Sequence, residues 1–174
     1  MRQAIKIFTV MFTITALLAI TAPAAMAGPT ADERALLGLL NEQRLAAGVD
    51  PLAWSGRMAT AARRHSHDMI DDNYFSHVST SGATLPQRLR RAGLKSWGAI
   101  GENLAGALSV EVAFGLWLDS PPHLKNMVKP SYTHVGIGVI EGGPYGSMIT
   151  MDLAQKPSVK ARAATSLSRR LRAR

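Results

Sequence analysis

Five histidines are the side chains of this 174-residue sequence best suited to chemistry near neutral pH, and three of them crowd into HSHDMIDDNYFSH as His65, His67 and His77. The others are His123, in SPPH, and His134, in HVGIGV. Imidazole serves both as a metal ligand and as an acid–base group, so the question is which of the five the fold can bring together. Spacing separates the local three. Met58, Ala62, His65 and Met69 recur at intervals of four, three and four, which is one helical stripe, whereas Arg63, Arg64, His67 and Asp71 fall largely off it. His65 is therefore expected inside, bonded to backbone or a neighbouring side chain, and His67 outside in solvent. His77 follows the break at Asn73, on a loop that Tyr74 and Phe75 are expected to anchor to the core.

Carboxylates and hydroxyls offer fewer openings. Glu102 lies in WGAIGENLAG, where Ile100, Leu104 and Ala105 imply partial burial, and a buried carboxylate must be paired, hydrogen-bonded or bound to metal. His123 falls in the first turn of a helix whose N-cap is Ser120 and whose first residue is Pro121. A serine hydrolase built on Ser120 and His123 is the poorer reading: capping would occupy the hydroxyl, and no acid stands ready to orient the histidine.

The elements that must position these groups read as a helix-rich first half and a closing hairpin. Thr30 and Glu33 form a capping box ahead of a helix over about 31–46, with Leu36, Leu37 and Leu40 on one side and Gly48 as its stop. Pro51–Trp54 is an apolar anchor before a second helix near 56–71, capped by Ser55. A short helix is expected near 84–92 behind Thr84 and Pro86, and another near 110–119 behind Ser109, with Ala113, Leu116 and Trp117 inward. Strands are expected at 134–140 and 145–153, joined by a glycine-rich turn, with His134 opposite the face of Val135, Ile137 and Val139.

Composition bounds the setting. Residues 1–27 read as a secretory signal peptide, with Arg2 and Lys6 before an uncharged apolar stretch and Ala25-Met26-Ala27 as the cleavage pattern; an uncleaved membrane anchor is the rival reading. The chain holds no cysteine, which excludes both a lipid-bearing N-terminal cysteine and disulfide staples. Of the formal charge of +8, the tail from Lys156 supplies most: it carries seven basic residues and no acid, against eleven basic and twelve acidic residues over 28–155. Residues 28–155 are thus expected as one near-neutral domain and 156–174 as a basic, disordered tail able to contact anionic envelope surfaces. Nucleic acid is not expected as a partner, since no aromatic platform accompanies the basic run.

The ordered set HSHDM, YFSH, GENLAG, LWLDSPPHLKNM and HVGIGV, spread over Glu33–Leu153, resembles the CAP superfamily of SCP-like, cysteine-rich secretory and pathogenesis-related proteins, in a short bacterial form. The resemblance implies an α+β fold, a three-layer α-β-α sandwich around a small, largely antiparallel sheet. It also implies a surface cleft in which His77, Glu102 and His123 meet, able in some members to hold a divalent metal such as zinc. One departure stands out: where many members carry a second glutamate this sequence has Ser120, and Asp119 is about 100° around a helix from that position. Three functions stay open on this reading. The cleft is expected to belong to an extracellular binding module for a small lipid or sterol-like amphiphile or an envelope component, to a zinc-dependent hydrolase, or to a hydrogen-bonded network that only stabilises a disulfide-free domain.

Overall fold

A computed structural model describes residues 28–157; the expected signal peptide over 1–27 and the expected basic tail beyond 157 lie outside the described residues. The element order is α1 (Ala31–Ala46), β1 (Ala53–Trp54), α2 (Gly56–Asp71), α3 (Leu85–Arg91), β2 (Ile100–Ala107), α4 (Val110–Leu118), α5 (Pro121–Met127), β3 (His134–Glu141) and β4 (Ser147–Ala154). The four strands form one sheet in the order β1-β3-β4-β2, antiparallel except for the two-residue parallel pairing of β1 with β3. α2 packs on one face of this sheet, while α1, α4 and α5 cover the other. This is the expected three-layer α+β sandwich.

Local chemistry explains the helix boundaries. The Thr30/Glu33 capping box forms, and Glu33, although fully buried, is satisfied because Arg63 of α2 donates to both its oxygens. Ser55 and Ser109 each accept from the backbone N–H three residues on, starting α2 and α4. Arg44, at the end of α1 and also fully buried, donates to the carbonyls of Asp50, Met127, Lys129 and Tyr132 and so ties the segment after α1 to the one after α5. Without disulfides, these buried guanidinium contacts close the long loops of the chain.

Strand alternation sorts the core. Val135, Ile137, Ile149, Met151 and Leu153 face Leu36, Leu40, Ala113 and Trp117 on the three-helix side. On the other face Met148 and Leu104 meet Met69, and Ala154 meets Met58 and Leu89. β4 is buried along its whole length, which fits a central strand. Gly136 and Gly138 allow α2 to lie directly on β3: a Cβ at either would stand 2.2 Å from the backbone of Ala59 or Arg63.

One element went unassigned by the sequence, and two local expectations differ from the structure. The glycine-punctuated stretch at 100–107 is a full strand, because Gly101 and Gly106 sit where side chains of the outer layers press on the sheet. Leu116 is not inward but 53% exposed, since Trp117 takes the central position on α4 and Leu116 is turned toward the rim. Phe75 is also 49% exposed; it rests edge-on against Tyr145 and does not reach the core.

Candidate functional site

The site is assembled across the open edge of the sheet. Strand β2 is an edge strand, and its outward carbonyls are met by side chains of the three-helix layer: Trp117 Nε1 donates to Leu104 O (2.9 Å) and Asn126 Nδ2 to Glu102 O (3.4 Å). Asn126 also donates to Asn103 Oδ1 (3.1 Å), and Asn103 Nδ2 donates to His123 O (3.1 Å). These bonds fix the first turn of α5 against β2. From the opposite layer, the loop after α2 brings His77 over the same edge, where its Nδ1 lies 2.7 Å from Glu102 Oε1.

Glu102 is buried, and both of its oxygens are engaged. Oε1 takes the bond from His77, and Oε2 is held by Arg88 Nη2. Arg88 is itself only 8% exposed, and its Nη1 donates to His77 O (2.8 Å) and Ala83 O (3.0 Å), so one guanidinium holds both the carboxylate and the backbone of the histidine loop. Burial works against the charge on Glu102, but the hydrogen bond from His77 and the charge of Arg88 outweigh it and hold the carboxyl below its ordinary value. The same hydrogen bond raises His77 above the ordinary imidazole value, although its side chain is 60% exposed.

A second acid stands beside Glu102. Asp152 is its cross-strand partner in β4, on the same face of the sheet, and is fully buried. Neither Asp152 oxygen meets a protein donor at hydrogen-bonding geometry, and Glu102 is the charge that acts on it most strongly. Burial first, and the neighbouring Glu102 carboxylate second, push Asp152 well above the ordinary carboxyl value. The pair is therefore asymmetric, with the Glu102 carboxyl shifted down and that of Asp152 shifted up.

His65 and His67 fall where their spacing placed them. His65 is 1% exposed, its Nε2 lies 3.0 Å from Ser76 O and its Nδ1 3.3 Å from the Tyr74 hydroxyl, and burial lowers its pKa. It braces the loop that carries His77. His67 is exposed and pairs with Asp71 one turn away (3.0 Å). His134 is half-buried at the start of β3 and lines a separate pocket. Asp119 is exposed at the C-cap of α4 and does not join the cleft.

Ser120 corrects the sequence reading. It adopts the N-cap backbone conformation of α5, but its hydroxyl makes no capping bond; it lies 2.8 Å from His123 Nδ1. Pro121 and Pro122 offer no N–H, and the hydroxyl turns to the imidazole of His123 in place of the backbone N–H of that residue, the donor within a cap's usual reach. Burial lowers the His123 pKa, and the positive charge of nearby His77 lowers it further. The cleft thus presents one imidazole biased toward its charged form and one biased toward neutrality.

Beside His123 an apolar groove of about 320 Å³ runs between Phe75, Leu104, Leu116, Trp117 and Tyr145, with Ser120 at its polar end. Tyr145 closes it by lying against Gly106, where a Cβ would come within 2.3 Å of the ring. As for metal, the carboxylate of Glu102 is closed by Arg88 and His77, and among the described residues no group of three His, Cys, Asp or Glu is arranged to hold an ion. The donors that remain open toward the cleft are the Nε2 edges of His77 and His123.

Sequence spacing missed Arg88, Asp152, Asn103 and Asn126. Arg88 carried a usable signal: it falls between Leu85 and Leu89 on the inward stripe of α3, and a cation on an apolar stripe requires a buried anion. Asp152 likewise interrupts an otherwise inward-facing row with Met148 and Thr150.

Comparison with known proteins agrees with this architecture. The chain is 33% identical over 124 residues to the uncharacterized protein YkwD of Bacillus subtilis, covering 71% of this chain and 48% of the relative. It is 38% identical over 115 residues to the uncharacterized membrane protein YlbC of the same organism, covering 63% and 32%. This chain therefore spans about half or less of the curated relatives it matches. Among solved structures, an extracellular SCP-domain protein of Bacillus anthracis aligns with a TM-score of 0.65 at 33% identity, over 75% of this chain and 45% of that one. An outer surface protein of Borrelia burgdorferi shares the fold, with a TM-score of 0.66 at 17% identity over 72% and 93%. The profile of the cysteine-rich secretory protein family, CAP, matches residues 37–153, the span that holds every element of the cleft from α1 to β4; although it has no cysteine, the chain belongs to the CAP family.

Proposed function

We propose that this protein is an extracellular binding module whose cleft takes a small amphiphile, its polar head at His77 and His123 and its apolar body along the groove of Phe75, Leu116 and Tyr145. One observation carries the reading: His123, its imidazole biased toward neutrality, lines an apolar groove of about 320 Å³, and His77, biased toward its charged form, stands near enough to act on it, an arrangement suited to a ligand with one polar end. An exported setting agrees with the secretory pattern of residues 1–27 and with the extracellular or surface relatives. In such a setting the basic run from Lys156 would hold the domain near anionic envelope material. The test is mass spectrometry of an organic extract of the purified protein, with titration of a fluorescent fatty-acid analogue. Saturable binding that Leu116→Asp abolishes without lowering the melting temperature is expected; an empty extract together with no saturable binding rejects the proposal.

A second reading has its own support. Glu102 receives Nδ1–H of His77, which aims the other ring nitrogen outward in the manner of a carboxylate behind a metal-bound histidine. On this reading His77 and His123 would hold a divalent ion such as zinc, Glu102 would orient His77 without ligating, and water or the ligand would complete the coordination. Bound there, the ion would supply Lewis-acid polarisation of a ligand oxygen. Calorimetric titration with zinc decides it: one-site uptake lost in His77→Ala/His123→Ala is expected, and the absence of uptake removes the ion, and with it a zinc-dependent hydrolase, from consideration.

A further inference from the structure

A second cavity, of about 290 Å³, opens where β4 ends, and it shares no lining residue with the groove or with the His77–Glu102–His123 cluster. Its walls divide by chemistry. Met58, Leu94 and Trp97 form an apolar floor continuous with the small core cluster under α3. Arg57, Lys95 and Lys156 supply three cationic side chains at the rim, all exposed, and no acidic residue lines the cavity. None of the three forms an ion pair with a described acid. Arg90 adds a further positive charge, stacked 5.5 Å over the Trp97 ring.

The rim is held in place. Lys156 Nζ lies 3.5 Å from His134 Nε2, and because an ammonium only donates, that nitrogen is the acceptor. Nδ1–H of His134 then donates to Thr133 Oγ1 (2.9 Å), which also accepts from the backbone N–H of Lys156 (2.9 Å). Arg57 is steadied by donating to Gly93 O (3.2 Å). The first turn of α2, a sixteen-residue helix, contributes Ser55, Arg57 and Met58 to the lining, so the positive end of its dipole adds to the same field.

We propose that this cavity is a second ligand site, for a phosphate monoester bearing a short apolar group. Three cations around one cavity match a dianionic head better than a singly charged carboxylate, and the Met58, Leu94 and Trp97 floor accounts for the apolar part. The volume, that of roughly ten water molecules, admits a head group and a chain of a few carbons. The source is either a soluble phosphorylated metabolite or the phosphate end of a membrane lipid. Because Lys156 also begins the basic tail, a ligand here would sit at the point where the domain meets its anionic surroundings.

The experiment is an NMR titration of the full chain with hexyl phosphate, inorganic phosphate and hexanol, following the Trp97 indole and His134 ring signals. Hexyl phosphate is expected to shift both saturably, inorganic phosphate to bind at least tenfold more weakly, and hexanol not at all. Arg57→Gln/Lys95→Gln should weaken hexyl phosphate at least tenfold, while Trp97→Ala should weaken hexyl phosphate but not inorganic phosphate. Co-sedimentation with phosphatidate vesicles that depends on Arg57 and Lys95 would identify a lipid source; hexyl phosphate binding without it would identify a soluble one. No saturable shift at Trp97 and His134, equal binding of hexanol, or an unchanged Arg57→Gln/Lys95→Gln variant would overturn the proposal.

Discussion

Replacing Glu102 by glutamine keeps the shape of the side chain and removes its charge, which makes it the sharpest probe of the cleft. In the wild type the carboxylate lies between Arg88 and His77, and the side chains of Glu102 and Arg88 are 3% and 8% exposed, so solvent does little to screen the pair. Glu102→Gln leaves a buried guanidinium whose Nε already lacks a partner, and removing one member of such a pair costs about 3–5 kcal/mol. For a domain of this size that corresponds to a fall in melting temperature of roughly 10–20 °C. Urea melts near pH 7 would measure the loss, and an NMR titration would show His77 returning toward the ordinary imidazole value. The pH dependence follows from the lowered Glu102 pKa: its stabilisation is present above the ordinary glutamate value and is lost as pH falls through the folded-state value. Glu102→Gln should be missing that acid-side loss. A variant less than about 1 kcal/mol weaker than wild type, with His77 titrating unchanged, would refute the account of the cleft as an ion-paired assembly.

Three further outcomes are expected. The Asp152 pKa is raised, so its contribution is complete below the ordinary aspartate value and is lost as pH rises toward the folded-state value; Asp152→Asn should remove this decline, which runs at about 1.4 kcal/mol per pH unit within that window, as urea melts across a pH series would show. The two cleft histidines should titrate on opposite sides of the ordinary imidazole value in ring-proton NMR, His123 below and His77 above, with the His77 contribution to stability lost as pH rises through its folded value. Gly136→Ala forces a Cβ to within 2.2 Å of the α2 backbone, and a loss of about 3 kcal/mol or more is expected in a denaturant melt, because neither helix nor strand can give way locally.

Much of the scaffold was legible because its signals are local. The Thr30/Glu33 box, Ser55 and Ser109 announce three helices, and the stripe through Met58, Ala62, His65 and Met69 assigns two histidines before any tertiary contact is known. The edge strand at 100–107 was not legible, since its glycines answer to Tyr132 and Tyr145, residues far along the chain that press on the sheet. The same holds within the cleft. His77, Glu102 and His123 stood out by residue type and by family resemblance, whereas Asp152 becomes a partner of Glu102 only through the register of β2 on β4. The role of the Ser120 hydroxyl turned on competition within one residue: its type and position predict a bond to the backbone N–H of His123, but it pairs with the imidazole of that residue.

The way Trp117 and Asn126 reach the outward carbonyls of β2 bears on the behaviour of the protein at high concentration. An uncovered edge strand invites pairing with a second molecule, and β2 has no neighbouring strand on that side. By occupying Leu104 O and Glu102 O, the residues that position the cleft also act as a guard against edge-to-edge aggregation. The positioning of the cleft and the protection of the sheet edge are thus built from the same atoms. Substitutions meant to reshape this cleft, at Asn126 above all, will be limited by self-association as well as by lost order in the first turn of α5.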